Sequence, residues 1–225
     1  EVNNKALFRK KCADAGLVPR TWNNYHHFIT NIQYNTWGLL DHQLPYEVVV
    51  RPSSHSRGRN LSVCTTPRQV QEAMADYTPK YYISELINKV SEYRVFIAQG
   101  RVVWVAKKTP GNPDGVAWNV ARGGRFDNVR WTDWPLKAVK TSIEAFNLSS
   151  LDFGGVDVMI DADGKCYVLE INSAPSQTSP YRQQSTAKAL DYIVQNGKER
   201  IPLIEARGGY KKFIHPAICE DARLV

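Results

Sequence analysis

Two carboxylates and an amide, Asp157, Glu170 and Asn172, are the side chains of this sequence best suited to chemistry. Each offers hard oxygen atoms, which Mg²⁺ prefers as ligands at roughly 2.1 Å in octahedral geometry. Mg²⁺ commonly completes its shell with the phosphate oxygens of a substrate. These residue types therefore predict a Mg²⁺ site, provided that the fold brings the three side chains together.

The segment that joins these residues predicts a β-hairpin. Residues 161–164, Asp-Ala-Asp-Gly, form the expected turn between strands 156–160 and 165–171. The acidic turn also partly fits the register of an EF-hand calcium loop. That alternative fails because its first position would be Met159, which cannot ligate, and because its flanks are strands rather than helices.

The hairpin register decides whether the candidate ligands meet. With a four-residue turn, Asp157 would lie opposite Val168, and the two-residue period of a strand places Val168, Glu170 and Asn172 on one side. All three candidate ligands would then project from one face. A turn one residue longer or shorter would reverse that face, and the alternative is that these side chains only line a solvated surface.

A second group of residues is suited to phosphate. A polar loop follows the predicted strand 46–51, and within it Arg57, Gly58 and Arg59 offer guanidinium donors around a residue without a side chain. Arg51 ends the preceding strand. The alternative is an ordinary solvated hairpin tip.

Capping signals and periodicity predict the elements that must position these residues. Residues 21–43 follow no clean period, which favours irregular structure with at most a short helix. The predicted helices are 5–15, 67–77, 135–146 and 184–196, and the predicted strands are 46–51, 61–64, 81–87, 93–98, 101–106, 156–160 and 165–171.

Composition limits the class of protein. With 225 residues, 43% of them hydrophobic, the chain can build one large domain or two intimate subdomains. A net charge of +7 predicts attraction to anions, whether nucleic acid, an anionic membrane face, or a phosphorylated or acidic substrate. No stretch approaches about 18 consecutive apolar residues, which excludes a membrane span. Four widely spaced cysteines favour free thiols in a reducing cytoplasm over a zinc ribbon.

Several common catalytic motifs do not occur in the sequence. Neither Gly-x-x-x-x-Gly-Lys-Ser/Thr nor Gly-x-Gly-x-x-Gly is present, so a Walker loop and a dinucleotide-binding fold are not supported. Gly-x-Ser-x-Gly and the kinase His-Arg-Asp are also missing.

In their order along the chain, the motifs resemble those of the ATP-grasp superfamily over nearly the whole sequence. Gly-Leu-Val-Pro-Arg-Thr at 16–21 and Val-Val-Val-Arg-Pro at 48–52 are similar to its Gly-x-x-Pro-x-Thr passage and to the strand before its glycine-rich lid. Glu-Tyr-Arg at 92–94 resembles its Asp-x-Arg strand. Glu-Ile-Asn at 170–172, the most specific motif, resembles its magnesium-binding end. Residues 118–124 resemble a passage of the glutamate ligases that extend ribosomal-protein tails, the closest type.

The resemblance implies an α+β fold with two lobes, each containing a mainly antiparallel sheet and helices, that clamp ATP between them. We expect a single ATP-grasp domain over residues 1–225. Its lid lobe would be residues 20–87, and its metal-binding lobe would combine residues 1–19 with 88–225.

The resemblance also implies roles for particular residues. Glu85 and the backbone of Leu86 and Ile87 would hold the adenine, and Glu92 the ribose. The full set implied for nucleotide binding is Lys5, Arg51, Arg57, Gly58, Arg59, Glu85, Leu86, Ile87, Glu92 and Asn119. The implied Mg²⁺ ligands are Asp157, Glu170 and Asn172, and the implied catalytic residues, which hold acylphosphate oxygens, are Arg94 and Arg122.

The activity that follows from the resemblance is ATP-dependent carboxylate–amine ligation through an acylphosphate, with release of ADP and phosphate. ATP and Mg²⁺ are the expected cofactors, and an amino acid or peptide carboxylate and an amine are the expected substrates. A phosphotransferase on the same fold and a nucleic-acid-binding protein are the alternatives. We expect no membrane partner, and nucleic acid is the less favoured ligand.

Two departures from the family pattern bear on substrate binding. Arg51 stands where the family normally has lysine, which changes the reach and hydrogen-bond geometry of the cation. Lys5 falls at the start of the sequence, so the domain that usually precedes this position is expected to be missing. A partner chain, a longer protein, or residues 21–43 with the basic tail would then supply the substrate surface.

Overall fold

The structure is a computed structural model, and the residues that it describes are 5–32, 40–53, 60–77, 80–113, 115–118, 120, 123–203 and 208–221. The chain divides into two compact units, Asn3–Asn88 and Lys89–Val225. Each unit contains one antiparallel sheet with helices packed on it, which confirms the predicted α+β class.

The first unit has a four-stranded sheet in the order β1-β4-β2-β3, with every neighbouring pair antiparallel. Its strands are β1 (Thr21–Trp22), β2 (Val48–Pro52), β3 (Ser62–Cys64) and β4 (Tyr81–Glu85). Its helices are α1 (Lys5–Ala13), α2 (Tyr25–Asn31) and α3 (Pro67–Asp76). The predicted strands 46–51 and 61–64 correspond to β2 and β3, which pair with each other.

Alternation along β2 and β4 builds the core of the first unit on one face of the sheet. Val48, Val50 and Ile83 are fully buried there and belong to one cluster with Phe28 of α2 and Val70 of α3. Burial of side chains of this size contributes about 1.5–3 kcal/mol each. Sheet and helices are therefore held together by the apolar half of each strand.

Helix α1 is joined to the other face of this sheet by Arg9. The Arg9 guanidinium lies 5.0 Å from the centroid of the Tyr82 ring, and it donates to Thr21 Oγ1 at 3.3 Å and Ser84 Oγ at 3.4 Å. These contacts group α1 with the first unit, whereas the expected division placed residues 1–19 with the second lobe.

The second unit has a five-stranded sheet in the order β7-β6-β5-β8-β9, again antiparallel throughout. Its strands are β5 (Lys89–Ala98), β6 (Arg101–Thr109), β7 (Arg125–Asn128), β8 (Phe153–Asp161) and β9 (Cys166–Asn172). Its α-helices are α4 (Leu136–Asn147) and α5 (Pro180–Asn196), and short 3₁₀ helices cover Trp131–Asp133, Gly209–Lys212 and Pro216–Asp221.

Proline marks the start of two helices. Pro67 opens α3 after Thr66, whose side chain accepts from the Gln69 N–H, as the sequence predicted. Pro180 opens α5 after Ser179, which makes no side-chain cap, and this helix begins one turn before the predicted residue 184. Proline suits the first turn because its missing N–H would have no partner there.

One face of the second sheet packs against α4 and is apolar. Val156, Val158 and Val168 on the strands and Phe146 on the helix are fully buried. The charged residues of β5, β6 and β8 that alternate with such positions point to the opposite face. The predicted site residues that the structure describes in this unit lie on that second face, namely Glu92, Arg94, Asp157, Glu170 and Asn172.

Two global features of the chain bear on its surroundings. No helix in the described ranges is long and apolar enough to cross a membrane.

Cys12, Cys64 and Cys166 are buried free thiols. Burial raises the pKa of Cys12 and of Cys64 to about 11, which leaves both thiols protonated and unreactive at neutral pH.

Candidate functional site

The three predicted metal ligands lie on one face of the second sheet. Asp157 pairs directly with Glu170, and Gly155 pairs with Asn172. Directly opposed residues of an antiparallel pair point to the same face. The structure therefore brings Asp157, Glu170 and Asn172 to one surface.

The register predicted for this hairpin is nevertheless wrong. Val168 pairs with Val158 rather than with Asp157, and it lies on the apolar face. The turn is one residue longer than predicted, and a β-bulge at Leu169 then shifts the register by one more residue before Glu170. The two shifts compensate, so the predicted common face is correct although the predicted pairing is not.

Asp157 accepts hydrogen bonds from two cations on neighbouring strands. Arg94 on β5 donates from Nε to Oδ1 at 2.6 Å and from Nη2 to Oδ2 at 2.8 Å. Lys108 on β6 donates from Nζ to Oδ2 at 3.2 Å. Burial acts to raise the pKa of Asp157, but the charges and hydrogen bonds of Arg94 and Lys108 outweigh it and hold the pKa well below its usual range. Asp157 is therefore ionised throughout the physiological range.

Glu92 is held in the same network. It is 2% exposed, and its two carboxylate oxygens accept from Lys89 and from Lys108. Burial lowers the pKa of Lys89, whereas for Lys108 the effect of burial is outweighed by Asp157 and Glu92, which raise the pKa. Both oxygens of Glu92 are thus engaged, and its ribose contact stays a prediction. We call Lys89, Glu92, Arg94, Lys108 and Asp157 the charged cluster.

Neither Lys89 nor Lys108 was among the predicted site residues. A two-residue turn with unbroken pairing between β5 and β6 would place Lys107 opposite Glu92. A bulge at Val103 shifts the register and puts Lys108 there instead, while Lys107 is exposed. The two adjacent lysines at the end of a strand were the available signal, but choosing between them required the bulge.

An aromatic ring lies beside the charged cluster. The Phe126 ring centroid is 4.7 Å from the guanidinium carbon of Arg94, 5.4 Å from Lys108 Nζ and 5.8 Å from the guanidinium carbon of Arg182. Arg182 belongs to the first turn of α5 and was also missed. Three cations of the second unit therefore surround one ring.

Glu170 and Asn172 offer the donor types that suit Mg²⁺. Both are partly exposed, and Asn172 Nδ2 donates to Glu170 Oε1 at 3.2 Å. Among the described residues, no group of three or more His, Cys, Asp or Glu side chains could hold a metal. Oxygen atoms of Glu170 and Asn172, with the one lone pair of Asp157 that no described residue fills, would need phosphate oxygens to complete an octahedral shell, which fits Mg²⁺.

In the first unit, Glu85 ends β4 and binds Arg20 through both oxygens, at 3.0 Å from Nε and 3.1 Å from Nη2. The Leu86 N–H donates to the Glu47 carbonyl at 3.0 Å. While that bond is made, Leu86 can offer adenine only its carbonyl. Ile87 follows outside the strand, and the adenine contacts of all three residues stay predictions.

Arg51 and Glu85 point to opposite faces of the first sheet. Arg51 pairs with Tyr82, and Val48 pairs with Glu85. Because side chains alternate along a strand, Arg51 shares the face of Tyr82, where Arg9 of α1 also lies. Arg51 therefore lies on the same face of the sheet as Arg9, a residue that was not predicted as part of the site.

Other predicted site residues cannot be placed. Lys5 begins α1, but its side chain is outside the described part of the chain. The residues that lie wholly outside the described ranges are Arg57, Gly58, Arg59, Asn119 and Arg122.

Comparison with known proteins identifies what this architecture is similar to. A family model described as an ATP-grasp domain matches residues 61–196, more than half of the chain. A comparison with the curated proteins finds no match.

Three solved structures resemble the chain. D-alanine–D-alanine ligase from Bacillus anthracis has a TM-score of 0.60 and 16% identity, with 87% of this chain and 67% of that chain covered. The ATP-grasp ligase PsnB, complexed with a phosphomimetic variant of its minimal precursor, Mg and ADP, has a TM-score of 0.55 and 18% identity, with 84% and 58% covered. The macrocyclase MdnC from Microcystis aeruginosa MRC, bound with precursor peptide MdnA, has a TM-score of 0.55 and 20% identity, with 86% and 61% covered.

At these identities the likeness establishes the fold. The chain spans about three fifths of the length of PsnB and of MdnC.

Proposed function

Because this chain belongs to the ATP-grasp domain family whose model it matches, we propose that it is an ATP-dependent carboxylate–amine ligase. The superfamily resemblance drawn from the sequence is thereby confirmed. The closer likeness to ligases that extend ribosomal-protein tails stays a prediction, as does the finer identity of both substrates.

The observation that carries the proposal is the direct pairing of Asp157 with Glu170 on a face that also holds Arg94 and Lys108. Phosphoryl transfer to a carboxylate brings several negative charges together and needs positioning and charge neutralisation more than a side-chain nucleophile. A face that combines oxygen ligands for Mg²⁺ with buried, fixed cations supplies both requirements.

ATP and Mg²⁺ are the cofactors of this fold, and the PsnB structure with Mg and ADP supports them. Glu170 and Asn172, with Asp157, would hold Mg²⁺, which neutralises phosphate charge when bound. In the first unit, the proposed nucleotide contacts are Lys5, Arg51, Arg57, Gly58, Arg59, Glu85, Leu86 and Ile87. Glu92 and Asn119 complete the set in the second unit.

The proposed reaction has two steps. A carboxylate oxygen of the first substrate attacks the γ-phosphorus of ATP, the bond to the β,γ-bridging oxygen breaks, and ADP leaves. The amine nitrogen of the second substrate then attacks the acyl carbon, the bond from that carbon to the phosphate oxygen breaks, and the amine loses a proton as phosphate departs.

Arg94 is suited to the acylphosphate. Its Nε and Nη2 are fixed on Asp157, and among the described residues nothing accepts from its Nη1. A guanidinium that is locked on one edge by a buried carboxylate presents its remaining N–H groups without a cost of ordering at the moment of reaction. Arg122 is the second proposed catalytic cation.

The proposed substrates are a peptide or amino acid carboxylate and an amine. The PsnB and MdnC structures contain precursor peptides, which supports a peptide for this chain. Since the chain spans about three fifths of those proteins, part of the substrate surface is proposed to come from a partner chain or a further domain.

Glu170→Ala tests the proposal. The assay measures Mg²⁺-dependent ADP release with a panel of amino acid and peptide carboxylates, and hydroxylamine as the amine, which converts an acylphosphate to a hydroxamate. We expect hydroxamate and ADP in equal amounts from the natural chain, at least a 100-fold loss in Glu170→Ala, and no loss in Glu144→Gln, an exposed change on α4. Circular dichroism checks that the fold is retained.

The outcomes separate the alternatives. Unchanged ADP release in Glu170→Ala would contradict the metal assignment. ADP release with a stable phosphorylated product and no hydroxamate would indicate a phosphotransferase. Nucleic-acid binding that falls steeply with salt and survives Glu170→Ala would indicate a binding protein instead.

A further inference from the structure

Arg182 is a buried cation that lies outside the charged cluster. The residue is 5% exposed, and its guanidinium carbon lies 5.7 Å from the Trp104 ring centroid and 5.8 Å from that of Phe126. Nη2 donates to Thr178 Oγ1 at 3.4 Å, and Nε is buried without a hydrogen bond. With the described residues, Arg182 thus makes a single long hydrogen bond.

Arg182 has no carboxylate partner in the described part of the chain. Burial lowers the pKa of Arg182, and the like charge of Arg94 lowers it further. The negative charge of Asp127 acts to raise the pKa of Arg182. The Asp127 carboxylate, however, already accepts hydrogen bonds from Thr109 Oγ1 at 2.6 Å and from Arg125 Nε at 3.0 Å. Arg94 and Lys108 beside the same ring are, by contrast, both paired.

Packing alone does not account for this cation. An unpaired buried charge costs more free energy than contacts with two aromatic rings return, and buried charges in proteins are normally paired. The surroundings of Arg182 are also electropositive, because the first turn of α5 has no acidic residue and Ser179 makes no side-chain cap. An anionic ligand would compensate all of these features.

The position of Arg182 indicates which anion it meets. Trp104 and Phe126 lie on β6 and β7, whereas Glu170 lies on β9, three strands from β6 in the sheet order. The Phe126 ring centroid lies 4.7 Å from the guanidinium carbon of Arg94 and 5.8 Å from that of Arg182, so the two guanidinium carbons are at most about 10.5 Å apart. Because Arg94 is the cation proposed for the reacting carboxylate, a substrate that spans this distance would place a second acidic group at Arg182.

We propose that Arg182 binds a second, non-reacting carboxylate of the acyl substrate, and that the site selects carboxyl substrates with two acidic groups. This inference rests on the proposed ligase function, because the substrate of a ligase has one carboxylate that reacts with ATP. The planar fork of a guanidinium matches a carboxylate through two parallel N–H bonds, which lysine cannot reproduce. The substrate class is thus an acidic amino acid or a peptide with an acidic residue.

Binding tests the inference without turnover. Calorimetry, with a non-hydrolysable ATP analogue and Mg²⁺ present, compares glutarate, L-glutamate and a glutamate-containing tripeptide with partners in which one carboxylate is amidated. We expect at least one diacid to bind tenfold or more tightly than its monoamide. Arg182→Gln should abolish this preference and Arg182→Lys should reduce it. Lys188→Gln, which removes one charge from an exposed position of the same helix, should preserve it.

Three results would overturn the inference. The first is that the natural chain shows no preference for any diacid, and the second is that the preference is unchanged in Arg182→Gln. The third is that Arg182→Gln binds the ATP analogue more weakly, which would assign the cation to a nucleotide phosphate. A preserved diacid preference in a chain that forms no hydroxamate would contradict the ligase and leave the anion site intact.

Stability gives an independent check against a purely structural role. Because Arg182 is buried without a charge partner among the described residues, Arg182→Met should unfold at a temperature equal to or above that of the natural chain. A marked fall in the unfolding temperature would show that Arg182 supports the fold and would contradict the inference.

Discussion

At the scale of single residues, the charged cluster works because each carboxylate fixes more than one cation. Asp157 accepts from Arg94 and Lys108, and Glu92 accepts from Lys108 and Lys89. Lys108 is therefore shared between both acids. Such mutual pairing offsets the desolvation of buried ions only while every member is present.

Glu92→Gln should therefore destabilise the second unit by about 3 kcal/mol, because Lys89 and Lys108 would remain buried with reduced compensation. Urea unfolding followed by tryptophan fluorescence measures the loss. Adding Lys108→Met should restore part of it, since the double variant removes one of the uncompensated charges. Glu144→Gln, on the exposed side of α4, should change stability by less than about 0.5 kcal/mol. Equal effects of Glu92→Gln and Glu144→Gln would contradict the buried network.

At the scale of elements, two β-bulges decide which residues reach the site. The bulge at Val103 selects Lys108 over Lys107, and the bulge at Leu169 restores Glu170 to the face of Asp157. If Leu169 were paired regularly instead of forming a bulge, Leu169 would lie opposite Asp157 and Glu170 would point to the apolar face.

The contrast shows what the sequence could and could not predict. Strand and helix identities followed from local signals, such as Thr66-Pro67 before α3, because caps and periodicity act over a few residues. Bulges depend on the packing of both faces of a sheet, so no local pattern located Val103 or Leu169. Arg182 was missed for a simpler reason: Ser179-Pro180 carried the same start signal as α3, but the helix was predicted to begin later.

The loop between β9 and α5 approaches the site face over a glycine. A Cβ atom on Gly155 would lie 3.0 Å from Pro175 Cγ and 3.3 Å from Arg94 Cδ. We expect Gly155→Ala to displace Pro175 and Arg94 and to cost about 1–3 kcal/mol of unfolding free energy. Gly208→Ala is the matched control, because no described atom lies within 4 Å of its added Cβ and its φ is −77°. Urea unfolding of both variants should show a lower free energy of unfolding only for Gly155→Ala. An unchanged free energy of unfolding in Gly155→Ala would show that the loop moves away from the added methyl group at no cost.

At the scale of the whole molecule, the carboxyl-terminal segment closes the second unit around a buried histidine. His215 is fully buried, its Nε2 lies 3.1 Å from Gln99 Oε1, and its Nδ1 accepts from the Ala217 N–H at 3.2 Å. These bonds fix the neutral tautomer with the proton on Nε2, because Nδ1 already faces a donor. Residues far apart in sequence are thus joined through one imidazole.

Protonation of His215 should therefore destabilise the native state. Burial, with a smaller effect of Arg101, lowers the pKa of His215 from 6.5 to about 4, and the other ring against it is Tyr192 at 5.2 Å. Between pH 6.5 and 4 the unfolded chain binds a proton here that the native chain does not, so stability falls as pH falls, by up to about 1.4 kcal/mol per pH unit.

The measurement is the free energy of unfolding in urea at several pH values between 6.5 and 4. His215→Gln keeps a donor and an acceptor but cannot titrate, so its slope should be shallower by up to about 1.4 kcal/mol per pH unit. Asp157 does not obscure this window, because its native pKa is depressed and an unfolded aspartate titrates near pH 3.9; its contribution is lost only as pH falls below about 4. Parallel slopes for both chains would show that His215 is protonated in the native state and that the carboxyl-terminal segment does not fix its neutral form.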